Sequence, residues 1–229
     1  MCAPAASRGD AQAQVDFARF TFPWGGRYAL LVVLGYSRLL WCRFYARQDM
    51  RTLISGLEDA FAYFGGVPQE LLFDQMKAVI TRDLRLEGGA LIHNLEFLRF
   101  AAHWSFRPRA CRPYRAQTKG KVERPVRYVR GNFVYGRTFV HDADLDQQRQ
   151  QWLDRVANVR VHGTTREAPQ VRFDRDERRL LQPLASRRYT SLVLDAAPAA
   201  VPAGRAPRPL VEVEKRALTA YAQLAGGGL

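Results

Sequence analysis

The sequence predicts an α/β domain on a mixed five-stranded sheet, three antiparallel strands followed by parallel ones, flanked by helices. Three observations carry this. Apolar runs of strand length at residues 12–22, 28–36 and 39–46 are separated only by short turns, the pattern of an antiparallel meander. A segment with helical spacing, Met50–Phe64, then leads into a short apolar strand, Glu70–Phe73. A strand–helix–strand passage returns the chain parallel to where it started. Finally, 229 residues of which 47% are hydrophobic suffice to bury a sizeable core.

The elements follow in order. Residues 1–10 form a loose lead-in. Gln12–Phe22 alternates polar and apolar residues, and Pro23-Trp24-Gly25-Gly26 breaks it as a turn. Tyr28–Tyr36 is aliphatic and β-branched, Ser37-Arg38 turns the chain, and Leu39–Ala46 is the third strand. In the following helix Leu53, Leu57, Ala60, Phe61 and Phe64 share a face, and Gly65-Gly66 with Pro68 stop it. Thr81–Gly89 reads as a loop, Ile92–His103 as a helix and Ser105–Cys111 as a fifth strand. Proline is tolerated in a helix's first turn, so Pro125 places a helix start near residues 121–124. Leu145–Val161 is a further helix, Tyr189–Leu194 a candidate strand, Ala196–Pro209 an Ala/Pro-rich linker and Leu210–Leu224 a candidate helix. The domain reading is therefore a lead-in at 1–10, a core at 11–140, a helical extension at 141–185 and a tail at 186–229.

Charge narrows the function. Net charge is +13, and between Arg99 and Arg137 eleven cations face Glu123 alone. Such a concentrated excess calls for a polyanionic partner. Arginine outnumbers lysine 31 to 4; a GC-rich genome accounts for that ratio, but not for the clustering. Cys2, Cys42 and Cys111 are odd in number and never paired as C-x-x-C, and the four histidines lack metal-finger spacing, so neither a disulfide nor a zinc framework is expected. No charged start followed by an apolar core opens the chain, and Tyr28–Tyr36 is too short to span a bilayer. The expectation is a soluble, cytoplasmic, DNA-associated protein. Trp24, Trp41, Trp104 and Trp152 are expected to fill the core or cap turns and not to stack on bases.

Three acids stand out. Asp16 lies mid-strand between Val15 and Phe17, Asp74 ends the short fourth strand, and Glu123 sits at a helix start. Each alone has an ordinary structural role, as a bonded strand residue, a turn former or an ion-pair partner. Together they converge, because strands one and four are neighbours in the expected sheet. Carboxylates about 4 Å apart repel by roughly 4 kcal/mol per pair at an effective dielectric of about 20. Bound cations or protonation make that tolerable. Glu123 is also the one acid among Arg115, Lys119, Lys121 and Arg124. Cations so dense face phosphate, and a carboxylate held beside phosphate usually has a divalent metal between them.

The stretches Gln14-Val15-Asp16-Phe17, Leu72-Phe73-Asp74-Gln75-Met76-Lys77 and Thr118-Lys119-Gly120-Lys121-Val122-Glu123-Arg124 resemble the three catalytic blocks of an IstA-type transposase. That family belongs to the DDE transposase/integrase superfamily, with an RNase H-like fold. Asn158–Thr165 resembles a family segment just beyond the catalytic core. The resemblance implies that Asp16, Asp74 and Glu123 are the catalytic, metal-binding triad for two Mg²⁺ ions, with Mn²⁺ able to substitute. It implies metal-dependent DNA cleavage followed by strand transfer. Arg115, Lys119, Lys121, Arg124, Arg127 and Arg130, with Lys77 beside Asp74, would seat the DNA backbone without reading sequence. The implied partners are DNA (element ends and target), an ATP-dependent transposition helper protein and further copies of the chain on DNA, with no membrane. The family carries a helix-turn-helix region ahead of the first Asp. Only fifteen residues precede Asp16, so that region is expected to be missing, and the tail after Ser186 has no family match. A second reading is therefore a catalytically inactive fragment that binds DNA or full-length transposase. A third, an RNase H-type nuclease, would use the same site on RNA–DNA hybrids.

Overall fold

The computed structural model describes residues 11–74, 76, 78–85, 88–111 and 125–191. Strand β1 (Gln12–Phe22) pairs antiparallel with β2 (Gly25–Leu34), and β2 with β3 (Leu40–Tyr45). Helix α1 (Met50–Phe64) then crosses to β4 (Glu70–Phe73), which pairs parallel with β1 in the register Val15↔Phe73. The chain next forms a hairpin, β5 (Ile80–Asp83) with β6 (Leu91–His93), before α2 (Leu95–His103) and β7 (Arg107–Ala110), parallel to β4. The main sheet runs β3-β2-β1-β4-β7. This is the expected mixed five-stranded sheet.

Around the hairpin the structure differs from the sequence reading. The segment read as a loop at Thr81–Gly89 supplies most of β5, and β6 pairs with it through Leu91 and the two residues, Ile92 and His93, read as the start of a helix. Strands this short and half polar carry no usable alternation, so only pairing reveals them. The helix begins at Leu95 because the Asn94 side chain accepts from the Glu96 N–H at 3.0 Å.

Period-two alternation gives the sheet two chemically distinct faces. On one, Ala13, Val15, Leu30, Val32, Leu71 and Phe73 pack against Leu53, Leu57 and Phe61 of α1 and Phe97 and Phe100 of α2. α1 is set by Asp49, which accepts from the Thr52 N–H at 2.9 Å, and by Gly65 in the left-handed conformation at φ 71°. A Cβ on Gly56 would collide with Leu30 and Tyr45, so glycine lets α1 lie directly on β2. On the other face Ala18, Phe20, Phe22, Leu31 and Val33 meet Val129, Phe133, Leu145, Trp152 and Leu153. These come from α3 (residues 125–134) and α4 (Asp142–Trp152), the latter continued by a wider π-type turn at Leu153–Ala157. The tryptophans behave as expected: Trp41, Trp104 and Trp152 are buried, and Trp24 stacks on Phe22 and donates to Asp142 at 2.9 Å.

The helical extension is bolted to the meander by buried polar groups. Asn158 accepts from the Leu40 N–H at 2.9 Å and donates to the Leu40 carbonyl at 2.8 Å. Helix α5 (Pro169–Arg172) continues through Phe173–Glu177 and Arg178–Leu180, none of which the hydrophobic pattern had marked. Its fully buried Glu177 accepts from the N–H groups of Ser37 (2.9 Å) and Tyr36 (3.2 Å). Tyr189 is not in a strand. Its N–H donates to Glu58 at 2.7 Å and its hydroxyl to Glu96 at 2.9 Å, tying the end of the described chain across α1 and α2. Residues 192–229, with the linker and last helix read from sequence, lie outside the described residues. Among the described residues no helix is long and apolar enough to cross a membrane.

Candidate active site

The parallel pairing of β1 with β4 brings two acids from distant sequence together. Val15 pairs with Phe73, so Asp16 and Asp74 are the next residue on each of two adjacent strands. Val15 and Phe73 both enter the core beneath α1 and α2, so alternation turns the two acids toward the opposite face. Asp16 is half-buried and Asp74 exposed. Burial pushes the Asp16 carboxyl from its ordinary 3.8 up to about 6; the Phe17 N–H opposes this, and the charge of Asp74 adds to it. The last contribution places the two carboxylates within electrostatic reach of each other.

Asp16 shares a small niche with Gln14, Leu31, Val33, Pro125 and Val126, so the chain resumes after residue 124 directly beside it. Glu123 lies outside the described residues, as do Lys77, Arg115, Lys119, Lys121 and Arg124. Of the expected DNA-facing cations, Arg127 and Arg130 are described. Both are exposed, three residues apart on one side of α3, while Val129 between them is buried. Arg130 lies over the Phe20 ring, 5.0 Å from its centroid, and donates to the Arg19 carbonyl at 3.3 Å.

One residue of the site region went unread in the sequence. Arg85 pairs with Asp83 at 2.7 Å and donates to the carbonyls of Cys111 (2.8 Å) and Ala110 (3.2 Å). It ties the β5–β6 hairpin to the end of β7, whose Ala110 pairs with Phe73 immediately before Asp74. Nothing in its sequence context marks it, because its partners are backbone carbonyls brought near by the fold.

The donor set fits a divalent cation. Both groups are carboxylates, the ligands hard cations prefer, and a cation between them removes the repulsion and offsets the burial of Asp16. Among the described residues no group of three or more His, Cys, Asp or Glu side chains converges, so a complete three-carboxylate site requires a residue outside them.

Part of this sequence is similar to known proteins. A model of the integrase core domain matches residues 6–116, a span that includes both Asp16 and Asp74. Over that span the chain is similar to the integrase core family. Its relatives include the transposase for insertion sequence element IS21 of Pseudomonas aeruginosa, 39% identical over 163 residues, covering 71% of this chain and 41% of that one. The transposase for IS640 of Shigella sonnei is 40% identical over 140 residues, covering 61% and 44%. The IS21-like transposase of Bacteroides fragilis is 36% identical over 167 residues, covering 70% and 32%. The chain thus spans less than half the length of these relatives. Among solved structures, a chain of the simian T-cell lymphotropic virus intasome in complex with PP2A regulatory subunit B56 gamma superposes with a TM-score of 0.56 at 18% identity, covering 80% of this chain and 60% of that one. The HTLV-2 integrase catalytic core domain in complex with magnesium gives a TM-score of 0.50 at 13% identity, covering 71% and 94%. The fold is RNase H-like, as the resemblance implied.

Proposed function

We propose that this chain is the catalytic core of an insertion-sequence transposase, cleaving a DNA strand and joining its 3′ end to a second DNA with the help of divalent metal. The observation that carries the reading is the convergence of Asp16 and Asp74 at the junction of β1 and β4, on the sheet face turned away from α1 and α2. Glu123 is the natural third ligand: Pro125, two residues along the chain, lines the niche that holds Asp16. Two residues of chain reach at most about 7 Å.

When bound, the metal pair supplies activation of the attacking oxygen and neutralisation of charge at the phosphodiester. The chain's own contribution is positional. Asp16 sits mid-strand, paired with Leu31 of β2 on one side and one residue beyond the last β4 pair, Val15↔Phe73, on the other, so its backbone is fixed and its carboxylate has little freedom to lose on binding. Asp74, at a strand end and exposed, is placed to meet metal and substrate from the solvent side. Arg127 and Arg130, with Lys77, Arg115, Lys119, Lys121 and Arg124, hold the DNA backbone without reading bases. The donors are hard oxygens, which suits Mg²⁺, with Mn²⁺ as substitute. The reading extends to several copies assembled on DNA, an ATP-dependent helper that selects the target, and a bacterial, DNA-associated setting like that of the named relatives.

The test is nicking and joining of plasmid DNA by the purified chain with Mg²⁺ or Mn²⁺. Wild type is expected to nick, and Asp74→Asn to lose at least about 10³-fold, the equivalent of roughly 4 kcal/mol of barrier. Activity that survives in Asp74→Asn, or salt-sensitive DNA binding without any cleavage by wild type, would overturn the proposal.

A further inference from the structure

Beside the Asp16 niche lies a larger cavity of about 320 Å³, within the size range of small-ligand sites, about 300–1,000 Å³. It shares Gln14, Val33 and Pro125 with the niche, so the two adjoin. Gln14 and Asp16 point the same way on β1, two residues or about 7 Å apart. That step is comparable with the spacing of neighbouring phosphates along a nucleic-acid strand. Whatever occupies the cavity therefore lies one nucleotide or so from whatever Asp16 acts upon.

The cavity wall is amphipathic. Leu40, Ala157 and Pro169 give it an apolar side, and Arg38, Arg160 and His162 a cationic and polar one. Arg160 lies flat on the Tyr128 ring, 3.7 Å from its centroid. Its Nε is buried with no hydrogen-bond partner, and its guanidinium has no ion-pair partner among the described residues. A guanidinium stacked on an aromatic ring yet lacking a counter-charge is oriented for an anion to come. Arg38 adds a second sign of construction. It adopts a left-handed backbone, φ 69°, a conformation costly for a residue with a side chain. The fold holds it there from both sides, through Glu177 on the N–H groups of Tyr36 and Ser37 and through Asn158 on Leu40. The buried polar bolts of the helical extension thus fix the turn that sets one arginine at the cavity rim, and the same extension carries the other.

We propose that this cavity seats one nucleotide of the DNA strand next to the phosphodiester under attack, its phosphate facing Arg160 and Arg38 and its base or sugar lying on the apolar wall. The identity of the strand as DNA rests on the function proposed above; the existence of a nucleotide site does not.

The probe is a deoxynucleoside monophosphate, titrated calorimetrically into the full chain at low salt, with inorganic phosphate and the unphosphorylated nucleoside as separate arms. Wild type is expected to bind the monophosphate more tightly than either part. Arg160→Met, which removes the charge and keeps an apolar stem, is expected to weaken binding about tenfold, as loss of one charge-assisted contact does. Thr164→Trp, on an exposed loop at the cavity mouth, is expected to abolish binding by filling the space without disturbing the core, checked by its melting temperature. Arg155→Met removes an exposed cation outside the cavity and is expected to change nothing. No binding by wild type, binding unchanged in both cavity variants, or phosphate alone binding as well as the nucleotide would each overturn the proposal. Plasmid nicking measured in parallel separates the two readings. Nucleotide binding without nicking leaves the cavity standing and sinks the transposase reading, whereas nicking without nucleotide binding does the reverse.

Discussion

The two faces of the central sheet are made by the same strands and do opposite things. Beneath α1 and α2 the face is closed and mainly apolar, with Phe61, Phe73, Phe97, Phe100 and Phe106 in edge or tilted contacts. The other face is apolar only where α3 and α4 cover β2, β3 and the later half of β1. Along the start of β1 and the end of β4 it carries Gln14, Asp16 and Asp74 instead. The lesson is that alternation lets one strand serve a core and a reaction site at successive residues: Val15 is fully buried and Asp16 is the candidate ligand. A slip of one residue would exchange them.

The contrast predicts opposite effects of truncation and neutralisation on the two faces. On the closed face, Phe61→Ala should cost about 3–5 kcal/mol, read as an earlier denaturation midpoint, because it empties space no neighbour can fill. On the open face, Asp16→Asn should stabilise the protein while ending its activity. The folded carboxyl titrates near 6 and the unfolded one near 3.8, so the folded state holds the extra proton between these values. The Asp16 contribution to stability is therefore most favourable below about pH 4, is lost as pH rises through 6, and above that amounts to a deficit of up to about 3 kcal/mol. Asp16→Asn should lack that pH dependence and unfold later than wild type at pH 8. Equal midpoints at pH 8 would remove burial as the cause of the raised pKa.

Smaller effects sharpen the same comparison. Asn158→Ala leaves the Leu40 N–H and carbonyl without partners on the open face and should cost about 1–3 kcal/mol in chemical denaturation. Arg127→Ala, an exposed cation on α3, should leave stability alone. It should lower by about one the slope of log binding constant against log salt, measured with any DNA duplex. An unchanged slope would place Arg127 away from the backbone path.

Much of this was legible from residue order alone, and the reason is local. The bounds of β1, α1 and β4 follow from alternation, helical spacing and the glycine stop, all properties of adjacent residues. The parallel adjacency of β1 and β4, the strands that carry Asp16 and lead into Asp74, also followed, because a strand–helix–strand passage leaves little choice of neighbour. Where local signals were weak the reading failed: β5 and β6 are three or four residues long, and α5 rides on contacts with the meander.

The primary structure determined the sheet order, the cationic cluster around Glu123 and the acids of the candidate site, since periodicity and charge are written along the chain. Tertiary structure alone decided how deeply Asp16 is buried, that Arg85 clasps the end of β7, and that Arg38 and Arg160 meet across one cavity. Those facts depend on desolvation and on contacts between residues more than a hundred positions apart, as for the cavity pair, and neither is encoded in any local pattern.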